Sequence, residues 1–334
     1  MRRGGKAKPS PVYLVTGGAG FIGSHLVETL AIADQRVRVL DDFSSGKREN
    51  LSAVADQIEV IEGDIRRAED CRRACEGVDF VLHHGACVSV AESFEDPVLY
   101  EQTNALGTLN MLCAARDANC RRFVYAGSAS AYGNPSDVPH REDFVPQPLS
   151  PYAIAKYIGE LYCRSFFDAH GLETVVLRYF NVFGPRQDSS SPYSGVIAKF
   201  IDGLLGGDGI TIFGDGKQSR DFVPVENVVA ANLLACTEPD APGAVINIGC
   251  GEQLAVARLA KLLADLTGVR GSVKHEPERP GEVRHSVADI TRAKKILGYR
   301  VDVSVLDGLR RTVAWYRDSH AGTSESSDPQ CPAA

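Results

Sequence analysis

Thr16-Gly17-Gly18-Ala19-Gly20-Phe21-Ile22-Gly23 is preceded by a short β-branched run, Val12 to Thr16, and followed by apolar residues at helical spacing, Ile22, Leu26 and Leu30. This order of strand, glycine turn and helix decides the fold. Glycines let the chain turn tightly and bring its backbone close to a pyrophosphate. The free N–H groups and positive dipole end of the following helix then face that anion. Gly17, Gly20, Phe21, Ile22 and Gly23 are the residues this geometry engages.

Outward from the turn, strand runs alternate with helical ones. Strands are expected at Val37 to Leu40, Gln57 to Ile61, Val78 to His83, Arg122 to Ala126 and Thr174 to Arg178. Helices are expected from Asn104 to Asn119 and from Tyr152 to His170. The strands are apolar on both faces, which implies a parallel sheet covered on both sides. The fold class is therefore α/β: a Rossmann doubly wound sheet with a smaller C-terminal α/β substrate-binding lobe. We expect the first domain over 11–183, with a segment near 220–238 returning to it, and the second lobe over 184–318. The segments 1–10 and 319–334 have no apolar periodicity and are expected to be disordered tails.

Asp41 ends the second strand, roughly 20 residues after the glycine turn, where a carboxylate meets ribose hydroxyls and repels a 2′-phosphate. This favours NAD over NADP. Asp64 and Ile65, after the third strand, stand where they can bracket the adenine. Gly85 and Ala86, after the fourth, let the chain pass close to the cofactor. Tyr152 and Lys156 open a helix at i, i+4 and share a face. A phenol of pKa ~10 is a poor base at neutral pH, and a neighbouring ammonium favours its ionised form. Ser128, past the fifth strand, is suited to pass a proton between a sugar hydroxyl and Tyr152, with Ser130 as a competitor for the role.

The chain has 334 residues and a net charge of −7, with 44% hydrophobic and 24% charged residues. That balance speaks for a globular core and against a nucleic-acid or acidic-membrane binder. No apolar run approaches the ~20 residues of a membrane span, and no signal-peptide core follows the basic start, so a cytoplasmic protein is expected. The nine cysteines are scattered, as for free thiols in a reducing compartment. Cys71 and Cys75 can share a helix face, but nothing at zinc-site spacing accompanies them, so no metal is expected.

These residues, with Leu177-Arg178-Tyr179-Phe180-Asn181-Val182-Phe183-Gly184-Pro185-Arg186-Gln187, Ser219-Arg220-Asp221-Phe222 and Arg279-Pro280-Gly281-Glu282, resemble the extended short-chain dehydrogenase/reductases. Within them the resemblance is to the nucleotide-sugar 4-epimerases, and it runs from about Tyr13 to Tyr316. It implies a tightly held NAD, a UDP-sugar substrate and a homodimer. It also implies internal redox at the sugar C4, with Tyr152 taking the O4 proton and the 4-keto sugar turning over before reduction. Asn104 and Tyr179 join the implied cofactor contacts. Arg220 and Arg279 become a diphosphate clamp, Glu282 the ribose acid, Asn181 a diphosphate contact and Phe213 the uracil neighbour. Arg186, Gln187 and Val196 complete the implied substrate set.

Ser286 stands where narrower relatives carry a bulky tyrosine, and its small side chain leaves room for an N-acetyl group. Val88 replaces a common lysine, which leaves cofactor retention and substrate preference open. A UDP-glucuronate epimerase or decarboxylase is the alternative, with Arg186 against a C6 carboxylate. A dehydratase needs an acidic pair beside Ser128, and Ala129 and Ser130 supply none. A non-catalytic NAD-binding scaffold is the alternative from another class, although Tyr152, Lys156 and Ser128 are all retained.

Overall fold

The structure, a computed structural model, describes residues 10–189, 195–278 and 283–325, with side chains to residue 320. The first half runs β1 (Val12–Thr16), α1 (Phe21–Ile32), β2 (Arg36–Asp41), β3 (Ile58–Glu62), α2 (Ala68–Cys75), β4 (Phe80–His83) and two short turns, α3 (Glu92–Glu95) and α4 (Pro97–Tyr100). It continues through α5 (Gly107–Asp117), β5 (Arg122–Ser128), α6 (Pro151–His170) and β6 (Glu173–Tyr179). The second half adds β7 (Asn181–Phe183), α7 (Val196–Gly206), β8 (Ile210–Phe213), β9 (Ser219–Arg220), β10 (Phe222–Pro224) and α8 (Val225–Thr237). It ends with β11 (Val245–Ile248), β12 (Leu254–Ala255), α9 (Val256–Thr267), β13 (Val273–Glu276), α10 (Thr291–Leu297) and α11 (Val305–Glu325).

Seven strands form one sheet in the order β11-β6-β5-β4-β1-β2-β3, and every pairing in it is parallel. The apolar character of β1 on both faces has a direct cause. Tyr13 and Val15 enter the core beneath α1 and α8, while Val12 and Leu14 enter the core beneath α2, α5 and α6. A strand that feeds two helical layers cannot alternate apolar with polar. A third core joins α7, α9 and α11 with Ile210, Ile212 and Phe222 in the smaller lobe.

The structure departs from the sequence expectations in three places. The sheet gains a seventh strand, β11, from a region read only as irregular. The helix expected at Asn104 starts in the wide turn Glu101–Leu106, which runs straight into α5. The C-terminal segment is helical to Glu325, where disorder was expected from Ser319. The Ser319 hydroxyl donates to the Trp315 carbonyl and the His320 ring lies 3.3 Å from Asp202 on α7, so tertiary ties extend a helix that composition alone does not support.

Asp221 joins the sheet to the smaller lobe. Its fully buried carboxylate accepts from the backbone N–H groups of Cys250 (2.7 Å), Gly251 (2.9 Å) and Ala288 (3.1 Å). Burial pushes its pKa up to about 6, against the pull of those three donors. Asp221→Asn removes the charge and turns an amide N–H toward buried donors. We expect a loss of about 2–4 kcal/mol in chemical denaturation, since each unsatisfied buried donor costs roughly 1–3 kcal/mol. A change under about 0.5 kcal/mol, the range of an ordinary surface substitution, would show that the carboxylate is not the junction.

Candidate active site

The residues singled out in the sequence gather at the carboxyl ends of the sheet strands, the crevice where open α/β sheets bind ligands. Gly17 adopts φ +64°, and a Cβ there would lie 2.8 Å from the Gly85 backbone nitrogen, so the loops after β1 and β4 cross with no room for a side chain. A Cβ at Gly23 would run into the Gly17 carbonyl oxygen, which fixes α1 against its own turn. Gly20 caps α1 without a side-chain hydrogen bond, leaving the N–H groups at Phe21 and Ile22 presented outward. Ala86 continues the loop from Gly85.

Thr16, quoted in the motif but given no role there, holds that crossing. Its Oγ1 accepts from the backbone N–H of His84 (3.1 Å) and Gly85 (3.0 Å). Its proton is then directed to His83 Nδ1 at 2.8 Å. His83 therefore carries its hydrogen on Nε2, toward Thr108 Oγ1 at 3.1 Å. Burial keeps the pKa of His83 well below its usual value, so the ring is neutral.

Asp41 is buried at the end of β2. Its Oδ2 accepts from Ala19 N–H at 2.8 Å and its Oδ1 from Phe43 N–H at 2.9 Å, leaving lone pairs on both oxygens. Asp64 is paired with Arg66 at 2.7 Å. Ile65 turns into the core, where it fills the space beside Gly107 and Gly85. Asn104 spends its amide on the Cys87 backbone, accepting from N–H at 2.8 Å and donating to the carbonyl at 2.9 Å, so it shapes the loop after β4. The Tyr179 hydroxyl lies 3.0 Å from both His84 Nε2 and Asn232 Oδ1, and so orients His84.

Tyr152 and Lys156 lie in the first turns of α6, which is capped by the Ser150 hydroxyl and begins with Pro151. Burial raises the pKa of Tyr152, and a side-chain hydrogen bond from Ser128 pulls it back. Ser130 donates to Ser128 Oγ at 2.8 Å, so the two candidate serines are hydrogen-bonded to each other. Lys156 is only 5% exposed. Its ammonium stands 4.4 Å from the centre of the Tyr125 ring. Burial brings its pKa down to about 8, with Glu160 pulling upward. Tyr125 donates to the Lys156 carbonyl at 3.0 Å, through the space that Gly159 leaves open.

A buried lysine whose ammonium stands over a ring face retains donors for a ligand hydroxyl. With the glycine crossing, the uncapped α1 terminus and the Asp41 lone pairs, these residues fit a dinucleotide laid across the strand ends.

On the smaller lobe, Asn181 starts β7, with its N–H on the Asp221 carbonyl. Val196 is the first residue of α7, whose N-cap Gly195 supplies no side-chain bond. Phe213 ends β8 and is half-buried. Arg220 is half-buried and donates to the Ser219 carbonyl at 2.9 Å. Ser286 is buried beside it, its N–H on the Ser219 carbonyl at 3.1 Å. Arg186 differs from expectation: its guanidinium is paired with Glu28 on α1, because the turn at Gly184 brings this loop onto that helix. Gln187 donates to the Val182 carbonyl, and its own carbonyl accepts from Tyr316. Arg279 and Glu282 lie outside the described residues. Val88 is 73% exposed and brings no charge to the loop.

Comparison with known proteins agrees with this geometry. A family model described as the NAD dependent epimerase/dehydratase family matches residues 13–249. The UDP-glucose 4-epimerase of Mycolicibacterium smegmatis is 37% identical, over 91% of this chain and 98% of its own length. The structure of a UDP-glucose 4-epimerase from Thermotoga maritima, with UDP-glucose, superposes with a TM-score of 0.88 at 40% identity, over 92% of this chain and 99% of that one. A UDP-N-acetylglucosamine 4-epimerase from Methanobrevibacter ruminantium, in complex with UDP-N-acetylmuramic acid, gives 0.89 at 38%, over 93% and 99%. No helix among the described residues is long and apolar enough to cross a membrane.

The placement of Asp41 leads to a selectivity test. Asp41→Asn should weaken NAD binding about tenfold, or about 1.4 kcal/mol, while NADP binding stays constant or improves, as read by isothermal titration of the cofactor-free protein. Equal loss for both dinucleotides would show that the carboxylate only supports its loop.

Proposed function

The chain belongs to the NAD dependent epimerase/dehydratase family, and from that premise we propose that it interconverts the C4 epimers of UDP-hexoses, both the plain sugars and their N-acetylated forms. It is an NAD-using enzyme of the UDP-sugar 4-epimerase type. The observation that carries the reading is the Ser128–Ser130 hydroxyl pair at the end of β5 together with Tyr152 and the buried Lys156 on one face of α6.

NAD, when bound across the strand ends, would supply the hydride chemistry at the sugar C4. The Tyr152 phenolate takes the O4 proton, with Ser128 bridging the two oxygens, and gives it back after the keto sugar has presented its other face. In the protein alone, burial holds the Tyr152 proton on. Ionisation therefore depends on positive charge close by, from Lys156 and from the oxidised nicotinamide ring. Arg220, Asn181, Arg279 and Glu282 are assigned to the nucleoside diphosphate by resemblance, and the α7 terminus is offered beside them as a further anion contact.

Two observations bear on the sugar. Ser286 leaves a small side chain next to Arg220, which favours tolerance of an N-acetyl group. Arg186, the candidate partner of a C6 carboxylate, is paired through Nη2 with Glu28, which offsets its charge and favours neutral hexoses over uronates, while its Nη1 is left without a partner among the described residues.

Incubation with UDP-hexoses, their N-acetylated forms and UDP-glucuronate, followed by separation of epimers, tests the assignment. Tyr152→Phe should reduce kcat about a thousandfold on every accepted sugar, and Ser286→Tyr should suppress the N-acetyl substrates first. Full activity of the phenylalanine variant, or turnover of the uronate alone, would reject this reading. Absence of any epimer or transient NADH absorbance across the panel would favour a non-catalytic NAD-binding protein.

A homodimer is proposed on the face formed by α4 and α6. Ile154 and Leu161, seven residues apart on α6, are exposed, as are Val98 on α4 and Leu106 before α5. Two helices with such a stripe bury it when a second copy packs against them. Ile154→Glu with Leu161→Glu should halve the mass measured by light scattering on a sizing column. An unchanged mass would move the interface elsewhere or remove it.

A further inference from the structure

Glu160 lies one helical turn beyond Lys156 on α6 and is buried against β6. Its carboxylate accepts from Arg178 Nη2 at 2.7 Å and from Arg178 Nε at 3.0 and 3.1 Å. The side chains of the pair are 4% and 3% exposed. Arg178 also stands 4.7 Å from the centre of the Tyr132 ring, and Tyr132 is held by Asn247 Oδ1 at 2.7 Å. The carboxylate fits because Gly127, next to Ser128, has no side chain: a Cβ there would lie 3.1 Å from Glu160 Oε1. A buried ion pair is a poor source of stability, since an apolar pair of equal size often serves as well.

The surroundings of Lys156 suggest another use. Around it stand Glu160 and Cys163 from α6, His83 and the adjoining His84 from the end of β4, and the Tyr125 ring from β5, with Tyr152 one turn back on the same helix. Burial leaves His83 and His84 neutral, with the latter down at about 4, and raises Tyr125 and Cys163 so that neither carries charge at neutral pH. Glu160 is the carboxylate acting on the lysine, and Arg178 in turn opposes the effect of burial on Glu160.

We propose that Glu160, clamped by Arg178, is a positioning residue of the reaction: its carboxylate holds Lys156 as an ammonium beneath Tyr152. The proposal rests on the assignment of Lys156 to the chemistry. Arg178 keeps Glu160 ionised, Glu160 keeps Lys156 protonated, and Lys156 favours the phenolate.

The test uses the purified enzyme with its cofactor. Glu160→Gln combined with Arg178→Met removes the pair without leaving a lone buried charge. Lys156 is titrated by ¹³C NMR of lysine-labelled protein, with its signal assigned by Lys156→Arg. We expect its midpoint to fall by about one unit, the alkaline limb of kcat to move acidward with it, and KM to stay unchanged. Glu160→Asp, which keeps the charge but withdraws it by one methylene, should shift both readouts less in the same direction, in a core closer to the original. A Lys156 midpoint that stays in place in either variant overturns the proposal. A midpoint that moves while the pH profile does not overturns instead the catalytic assignment of Lys156.

Discussion

The close crossing of two backbones at the carboxyl end of the sheet is the constraint from which the site follows. Gly17 and Gly85 meet with no space for a side chain, and Gly23 seats α1 against the same turn. Thr16 locks the crossing through two backbone donors and His83. The α1 terminus is thereby aimed over the strand ends, and Asp41 is brought to its side through the Ala19 N–H.

The catalytic layer is built on the same sheet, one strand further out. Ser128 ends β5, Tyr179 ends β6, and α6 lies over both with Tyr152 and Lys156. Small residues again decide the spacing: Gly159 admits the Tyr125 hydroxyl to α6, and Gly127 admits the Glu160 carboxylate to β5. Packing and electrostatics are hard to separate here. The burial that seats α6 also lowers the pKa of Lys156 and raises that of Tyr152, so the charge state of the site depends on what surrounds these two groups.

The smaller lobe is held by polar ties more than by the sheet. Asp221 gathers three N–H groups from the loop after β11 and the segment before α10, while Arg186 and His25 attach the loop after β7 to α1. The apolar core beneath α7, α9 and α11 is separate from the two cores of the sheet.

The parallel sheet, the glycine turn with Asp41, and the Tyr152–Lys156 face were legible in the sequence because each depends on local order: a β-branched run, a turn that only glycine fits, a four-residue helical repeat. The seventh strand was not legible, because β11 is four residues long and owes its place to pairing with β6. The helical end of α11 depends on Asp202 in a distant helix, and the turning of Arg186 onto Glu28 on a contact between residues 158 positions apart. The pairing of Glu160 with Arg178 was hidden for the same reason. A glutamate on a helix is unremarkable until a strand delivers an arginine to it and a glycine clears its space. The sequence by itself determined the parallel sheet, the glycine turn and which residues share a face of α6. Only the tertiary structure decided which charges are removed from water and which partners they keep, since burial is a property of the assembled layers and of no single segment.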